Sequence, residues 1–132
     1  EHIHNNVLIL LQLMLPFVFF ERRPVSMFAL LVLLSGFAVW LTGTHNSIHI
    51  GASGVIFALI SYIFTAAWFS NYWLTKIVYI IVTLIFGLEY WYIVRQGVIP
   101  QEGISFAGHF GGLMSGIIVA LAFGRQKKHW LN

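Results

Sequence analysis

A serine and a histidine, each set among glycines, are the residues of this sequence best suited to nucleophilic chemistry. Ser53 lies between Gly51 and Gly54, which permit a tight turn and leave the hydroxyl uncrowded. His109 lies in a second glycine-rich segment, residues 107–116. A serine hydroxyl is a poor nucleophile until a neighbouring base takes its proton, and histidine titrates close enough to neutral pH to be that base. The pair is therefore a candidate nucleophile and base.

The spacing of the glycines decides between this chemistry and a plainer interpretation. A serine between glycines is also typical of a helix N-cap flanked by packing residues. Glycines recur every fourth residue across 108–116, however, and form one bare helix face that lets two helices touch backbone to backbone. If that face packs on the Ser53 helix near Gly54 and Ala58, Ser53 and His109 come within hydrogen-bond reach at one depth.

The acid that usually orients the histidine of a catalytic triad has no clear candidate. The chain has four Glu and no Asp. We expect Glu21 at the opposite end of the helices, Glu1 at the terminus and Glu102 in a loop. The sequence therefore predicts a pair of Ser and His without a conventional triad. Glu89 is interpreted as an interfacial residue bonded to a tyrosine such as Tyr92, with a functional role as the alternative.

Donors for an oxyanion are the third requirement of acyl chemistry. His2 and Asn6 are spaced four apart and so share one face of the first helix, and with the Ser53 backbone N–H they can form an oxyanion hole. The alternative is that both are ordinary interfacial residues at a helix start. The polar residues of segment 44–49 either line a water-filled entrance or form a plain exposed loop.

Composition requires that these residues be positioned by membrane helices. The chain is 59% hydrophobic and 8% charged, with a mean hydropathy of +0.86, far from the composition of soluble domains. Polar or turn residues separate five apolar stretches of spanning or nearly spanning length, at about 2–20, 25–42, 53–70, 76–94 and 108–123. We predict one all-α domain over residues 1–132, a polytopic transmembrane helical bundle.

The basic residues predict the orientation of this bundle, because cytoplasmic loops are enriched in Lys and Arg. Six of the seven fall on one side, namely Arg22, Arg23, Lys76, Arg125, Lys127 and Lys128, and Arg95 falls on the other. The basic side, with the C-terminus, is predicted to be cytoplasmic. The starts of the first, third and fifth spans then meet on the non-cytoplasmic side. These short basic flanks suit anionic lipid headgroups, and we expect no nucleic-acid partner.

Three patterns in this order resemble the rhomboid intramembrane serine proteases. They are His-x-x-x-Asn opening the first span, Gly-x-Ser-Gly opening the third and His-x-x-Gly-Gly in the fifth. The resemblance covers essentially the whole chain and implies a bundle of six core helices, of which five are present here. The first would precede Glu1, and since the chain begins without Met or a signal peptide, we expect an N-terminally truncated domain.

The resemblance also implies roles for individual residues. Ser53 is the nucleophile and His109 the base. His2, Asn6 and the Ser53 amide form the oxyanion hole, which Gly51 helps to shape. Phe57 stands where a tyrosine often stacks on the catalytic histidine, so that stacking is retained without a hydroxyl contact. Glu21 resembles a structural acidic residue at the cytoplasmic end of its helix.

The activity implied is hydrolysis of peptide bonds in or beside the transmembrane helices of other membrane proteins, with water admitted from the non-cytoplasmic side. The implied partners are these substrates and the lipid bilayer, and neither a cofactor nor a metal is implied. One alternative is a rhomboid-like pseudoprotease that binds transmembrane segments without cutting them, although both members of the pair are present.

A second alternative is a histidine-rich, metal-dependent membrane protein or transporter. Five histidines fall on one side, namely His2, His4, His45, His49 and His109. Their spacing disfavours a metal site, because the sequence has no His-Glu-x-x-His helix and the loop histidines have no matching acid.

Overall fold

Five α-helices make up the part of the chain that the computed structural model describes, which is residues 2–43, 52–89, 91, 95, 99, 106–124 and 126. The side chains of residues 2–5 and 89 lie outside that description. The helices are α1 (His2–Phe20), α2 (Pro24–Thr42), α3 (Ser53–Phe69), α4 (Trp73–Glu89) and α5 (Phe106–Phe123). No strand occurs within the described residues, and the all-α prediction is confirmed.

The start of α4 differs from the prediction. The sequence placed the fourth helix from residue 76, whereas α4 begins at Trp73. Ahead of it, the Tyr72 N–H donates to the Ser70 hydroxyl (3.2 Å), and the Lys76 N–H donates to the Tyr72 carbonyl (3.0 Å). Because the Ser70 hydroxyl accepts a backbone N–H just before the helix, the helix can begin there, and α4 therefore starts about one turn before Lys76.

Helices α3 and α5 run in one direction, and the end of α1 lies beside α3. The ring of Phe17, near the end of α1, packs edge-on against Tyr62 in the second half of α3, with ring centroids 5.2 Å apart. Along α5, Gly112 lies against Gly54, and Gly116 follows against the next turn of α3. The starts of α3 and α5 therefore meet at one end of the bundle, and the place of the start of α1 stays a prediction.

Helix α5 is the centre of the packing. A Cβ added at Gly112 would overlap the Gly54 carbonyl oxygen, and one added at Gly116 would overlap the Ala58 carbonyl oxygen. These are the backbone contacts that the glycine spacing predicted. On its other side, a Cβ at Gly111 would lie 2.6 Å from the Cβ of Ala38, near the end of α2. α5 is therefore held closely between α2 and α3.

The outside of the bundle is apolar. Large side chains such as Leu15, Trp40 and Leu88 are mostly exposed, and α2 buries only Met27, Leu31 and Ser35 among its residues. By length and composition, α2 and α5 can cross a membrane, and shorter apolar helical stretches cover Asn6–Phe20 of α1, Ser53–Phe69 and Trp73–Leu88. An apolar exterior of this extent would be unfavourable in water, whereas it is the surface that lipid requires.

A buried carboxylate fastens the ends of α1, α3 and α5 that lie opposite Ser53. Glu21, directly after α1, is fully buried. Its carboxylate accepts hydrogen bonds from the N–H groups of Arg22 (2.9 Å) and Arg23 (3.3 Å) and from the Tyr62 hydroxyl. Glu21 also forms an isolated backbone bridge with Gln126, after α5. A buried charge is stable only with such partners, and those of the Glu21 carboxylate come from the two residues that follow it and from α3.

Replacing Tyr62 by Phe should lower the free energy of unfolding by about 1–3 kcal/mol, because a buried charged acceptor loses a donor. The measurement is denaturant unfolding of the full-length protein in detergent micelles. Tyr72→Phe is the matched control, since the described bonds of Glu21 do not involve Tyr72. Equal stability of Tyr62→Phe and Tyr72→Phe would contradict a stabilising role for the buried carboxylate.

Candidate active site

Ser53 is the first residue of α3, and this position leaves its backbone N–H pointing out of the helix. The first backbone bond of α3 runs from the Ile56 N–H to the Ala52 carbonyl (3.0 Å). The N–H groups of residues 53–55 therefore precede the first intrahelical bond. The N-cap position is Ala52, so capping by the Ser53 side chain, the plainer interpretation of the motif, is not how this helix starts.

The positive end of a helix dipole coincides with the Ser53 N–H. Unsatisfied N–H groups at a helix start carry partial positive charge and attract anions. No acidic side chain occupies the first turn of α3. A negative charge that develops on an atom beside Ser53 is therefore stabilised by the backbone itself.

His109 lies in the first turn of α5 and is buried, with 5% of its surface exposed. Its ring lies against that of Phe57, with centroids 4.4 Å apart and ring planes at 30°. The stacking expected of Phe57 from the family resemblance is therefore present, with a phenyl ring in place of a phenol. This contact fixes the imidazole between α3 and α5.

Ser53 and His109 are adjacent in depth because their neighbours touch. A Cβ built on Gly54 would lie 3.2 Å from the carbonyl oxygen of Gly108. Gly54 follows Ser53, and Gly108 precedes His109. Phe57, one turn after Ser53, supplies the second contact to His109. Two contacts, both made by residues just after Ser53 on α3, thus place Ser53 and His109 at similar depth along the interface of α3 and α5.

Asn6, the candidate oxyanion donor on α1, has a predicted position relative to Ser53. With a rise of about 1.5 Å per residue, Asn6 is about 16 Å along α1 from Phe17, and Ser53 is about 14 Å along α3 from Tyr62. Since Phe17 and Tyr62 are in contact, the predicted parallel course of α1 and α3 would place Asn6 and Ser53 at similar depth. Asn6 is half-buried. The side chain of His2, and Gly51 as a whole, lie outside the described residues.

The described residues offer neither an acid beside His109 nor a set of metal ligands. Glu21 is the one glutamate whose side chain is described, and it lies at the ends of the helices away from Ser53. No group of three His, Asp or Glu side chains that could hold a metal ion occurs among the residues with described positions. The side chain of Glu89 and residues 44–49 fall outside them.

One contact at the opposite end was not anticipated from the sequence. Tyr62, the hydroxyl partner of Glu21, lies nine residues after Ser53 in an apolar run. Tyrosine in such a run is a weak signal, because its ring suits lipid, core and interface equally. Only the position of Glu21 immediately after an apolar helix indicated that a buried partner was needed.

Comparison with known protein families found a match. The family model described as the Rhomboid domain matches residues 1–126. A search of curated proteins found no match. A search of solved structures likewise found none.

Proposed function

Since the chain belongs to the rhomboid family of integral membrane proteins, we propose that it is an intramembrane serine endopeptidase acting through Ser53 and His109. Its substrates are other membrane proteins, cut in or next to their transmembrane segments. The observation that carries the proposal is the backbone contact between Gly54 and Gly108, beside the Phe57–His109 ring contact, at the junction of α3 and α5.

The reaction follows the chemistry of an activated serine. His109 accepts the proton of the Ser53 hydroxyl as the oxygen attacks the scissile carbonyl, and it returns that proton to the leaving amine. The acyl group then remains on Ser53. His109 next removes a proton from a water molecule that attacks the ester, and the carboxylic product leaves as the Ser53 hydroxyl is restored.

The oxyanion formed in both steps needs donors. The Ser53 N–H at the start of α3 supplies one, in a helix end that favours negative charge. Asn6 is a suitable second donor from α1, and His2, one turn earlier on the same helix, is a third. The packing of Phe57 against the ring of His109 orients the imidazole.

A substrate helix must reach the serine sideways from the lipid and unwind locally, because a peptide bond inside a regular helix cannot meet the nucleophile. The apolar exterior suits a lipid-borne substrate. Water reaches the site from the ends of α1, α3 and α5 at which Ser53 lies, the side proposed to be non-cytoplasmic.

The test is cleavage of a reporter protein with one transmembrane helix by the full-length protein in liposomes. We expect cleavage that a metal chelator leaves unchanged. Loss of cleavage with chelator would replace the serine mechanism by a metal-dependent one. Specific binding of the reporter without cleavage, under conditions in which the protein is folded, would favour the pseudoprotease.

The ring contact predicts a selective effect at Phe57. Phe57→Tyr keeps the aromatic ring and should retain cleavage, whereas Phe57→Ala should lower kcat by about 10²-fold, since misplacing a catalytic group by about 1 Å has that effect. Because Phe57→Ala also opens a cavity, Phe17→Ala, a buried phenylalanine at the opposite end, is the control at equal folded fraction. Equal kcat losses in both alanine variants would contradict the orienting role.

A further inference from the structure

Two buried hydroxyls on α4 are not accounted for by the site of Ser53. Thr75 and Tyr79 lie four residues apart and so share one face of the helix. Both are fully buried. The Thr75 Oγ1 and the Tyr79 Oη have no hydrogen-bond partner among the residues that the structure describes. Buried side-chain polar atoms are nearly always bonded to protein or to ordered water, so this pair requires an explanation.

Several Ser and Thr hydroxyls in the described helices bond to a carbonyl of their own helix. On α4 itself, the Thr83 hydroxyl donates to the Tyr79 carbonyl (2.8 Å). On α3 and α5, the Ser61 and Ser115 hydroxyls each donate to a backbone carbonyl three or four residues earlier. Thr75 does not use this arrangement. Its hydroxyl is therefore available for a partner outside its own helix.

The surroundings of Tyr79 contain a buried anion. Its ring contacts that of Phe20, with centroids 5.6 Å apart, and Phe20 directly precedes Glu21. The Glu21 carboxylate accepts a hydrogen bond from the Tyr62 hydroxyl, so this anion directly follows the residue whose ring contacts Tyr79. Two hydroxyls without described partners and one carboxylate thus occupy the same end of the bundle, where α1, α3 and α4 meet.

We propose that Thr75, Tyr79 and Glu21 form a binding site for one internal water molecule. The water accepts a hydrogen bond from the Tyr79 hydroxyl and donates its two hydrogens to the Glu21 carboxylate and to the Thr75 Oγ1. Three bonds are the usual number for a buried water, and all three partners are polar. The water joins α4 to the end of α1, next to the Phe20–Tyr79 ring contact.

The direct test is a structure of the full-length protein in a lipid environment, at a resolution that shows ordered water. We expect an isolated peak within hydrogen-bond distance of both the Thr75 and Tyr79 hydroxyls. A protein side chain at that position, or no peak beside well-defined hydroxyls, would overturn the proposal.

Stability measurements give an independent test, because a bound water predicts that removal of either hydroxyl destabilises the protein. If the water is bound, Tyr79→Phe and Thr75→Val should each raise the unfolding equilibrium constant about tenfold. The double variant should raise it by clearly less than the product, because both changes remove one water. A neutral or stabilising effect of either variant would mean that the hydroxyl has no partner to lose, and the water site would be abandoned.

Thr83→Val is the matched control for the coupling. It removes a hydroxyl of the same residue type from the same helix, but one that bonds to a backbone carbonyl. The factor by which Thr83→Val changes the unfolding equilibrium constant should multiply with the factor for Tyr79→Phe, which means that the two changes are independent. If Thr83→Val and Thr75→Val were coupled to Tyr79→Phe equally, the coupling would reflect the helix and not a shared water.

Discussion

Replacement of Ser53 or His109 by alanine should each lower kcat/KM for cleavage of a transmembrane reporter by about 10⁴-fold or more, and the double variant should lose little beyond that. Nucleophile and base act in one proton transfer, so removing either disables the other. The contacts of Gly54 with Gly108 and of Phe57 with His109 are the structural reasons to expect this dependence. Initial rates in liposomes, with enzyme amounts matched by folded fraction, give the values.

Two serines provide controls within the same helices. Ser61 on α3 and Ser115 on α5 are both buried, and each hydroxyl bonds to a carbonyl of its own helix. Ser61→Ala and Ser115→Ala should keep cleavage within a few-fold of wild type, since neither hydroxyl is assigned to the reaction. Fully additive losses for the Ser53 and His109 variants would contradict a joint role.

Replacement of Gly116 by alanine should be the most destabilising of the glycine substitutions, lowering the free energy of unfolding by about 2–3 kcal/mol. The added Cβ would overlap the Ala58 carbonyl oxygen and the Ser61 hydroxyl, and would lie 2.8 Å from the Tyr62 backbone nitrogen. Because two of these three atoms belong to the backbone of α3, a side-chain rotation cannot relieve the overlap. The helices must separate, which also moves His109 away from Ser53.

The matched controls are Gly36→Ala on α2 and Gly87→Ala on α4, where an added Cβ meets no atom within 4 Å. At these positions alanine should be neutral or stabilising by about 0.5–1 kcal/mol, because glycine is the poorer helix residue. Denaturant unfolding in micelles separates the two classes. Similar effects of Gly116→Ala and Gly36→Ala would contradict the close contact between α3 and α5.

The packing of α5 could be predicted from the sequence, because the spacing of its glycines determines which face of the helix lacks side chains. A glycine every fourth residue produces one bare face, and two of its glycines lie against Gly54 and Ala58 as expected. The helical class and the five apolar helices of the described residues followed equally from apolar run lengths, and the common direction of α3 and α5 followed from their alternation. The roles of Ser53 and His109 stay predictions until cleavage is measured.

The opposite end of the bundle was beyond sequence reasoning. Glu21 was expected to be structural, but its bond to Tyr62 joins residues 41 positions apart, which no local periodicity encodes. Thr75 fell outside the predicted fourth helix, and Tyr79 was indistinguishable from a lipid-facing residue, because α4 is apolar on most of its surface. Burial of a polar group depends on which neighbouring helix covers it, and only the assembled bundle determines that.

The most direct test of the central claim is the reaction of the folded, full-length protein with a fluorophosphonate, followed by peptide mass analysis. An activated serine attacks phosphorus and displaces fluoride, leaving a stable adduct on its oxygen. We predict one adduct, on Ser53, that is lost in His109→Ala and retained in Ser61→Ala and Ser115→Ala. Failure of Ser53 to react in folded protein, or equal reaction of Ser53 in His109→Ala, would contradict the assignment of a serine activated by His109.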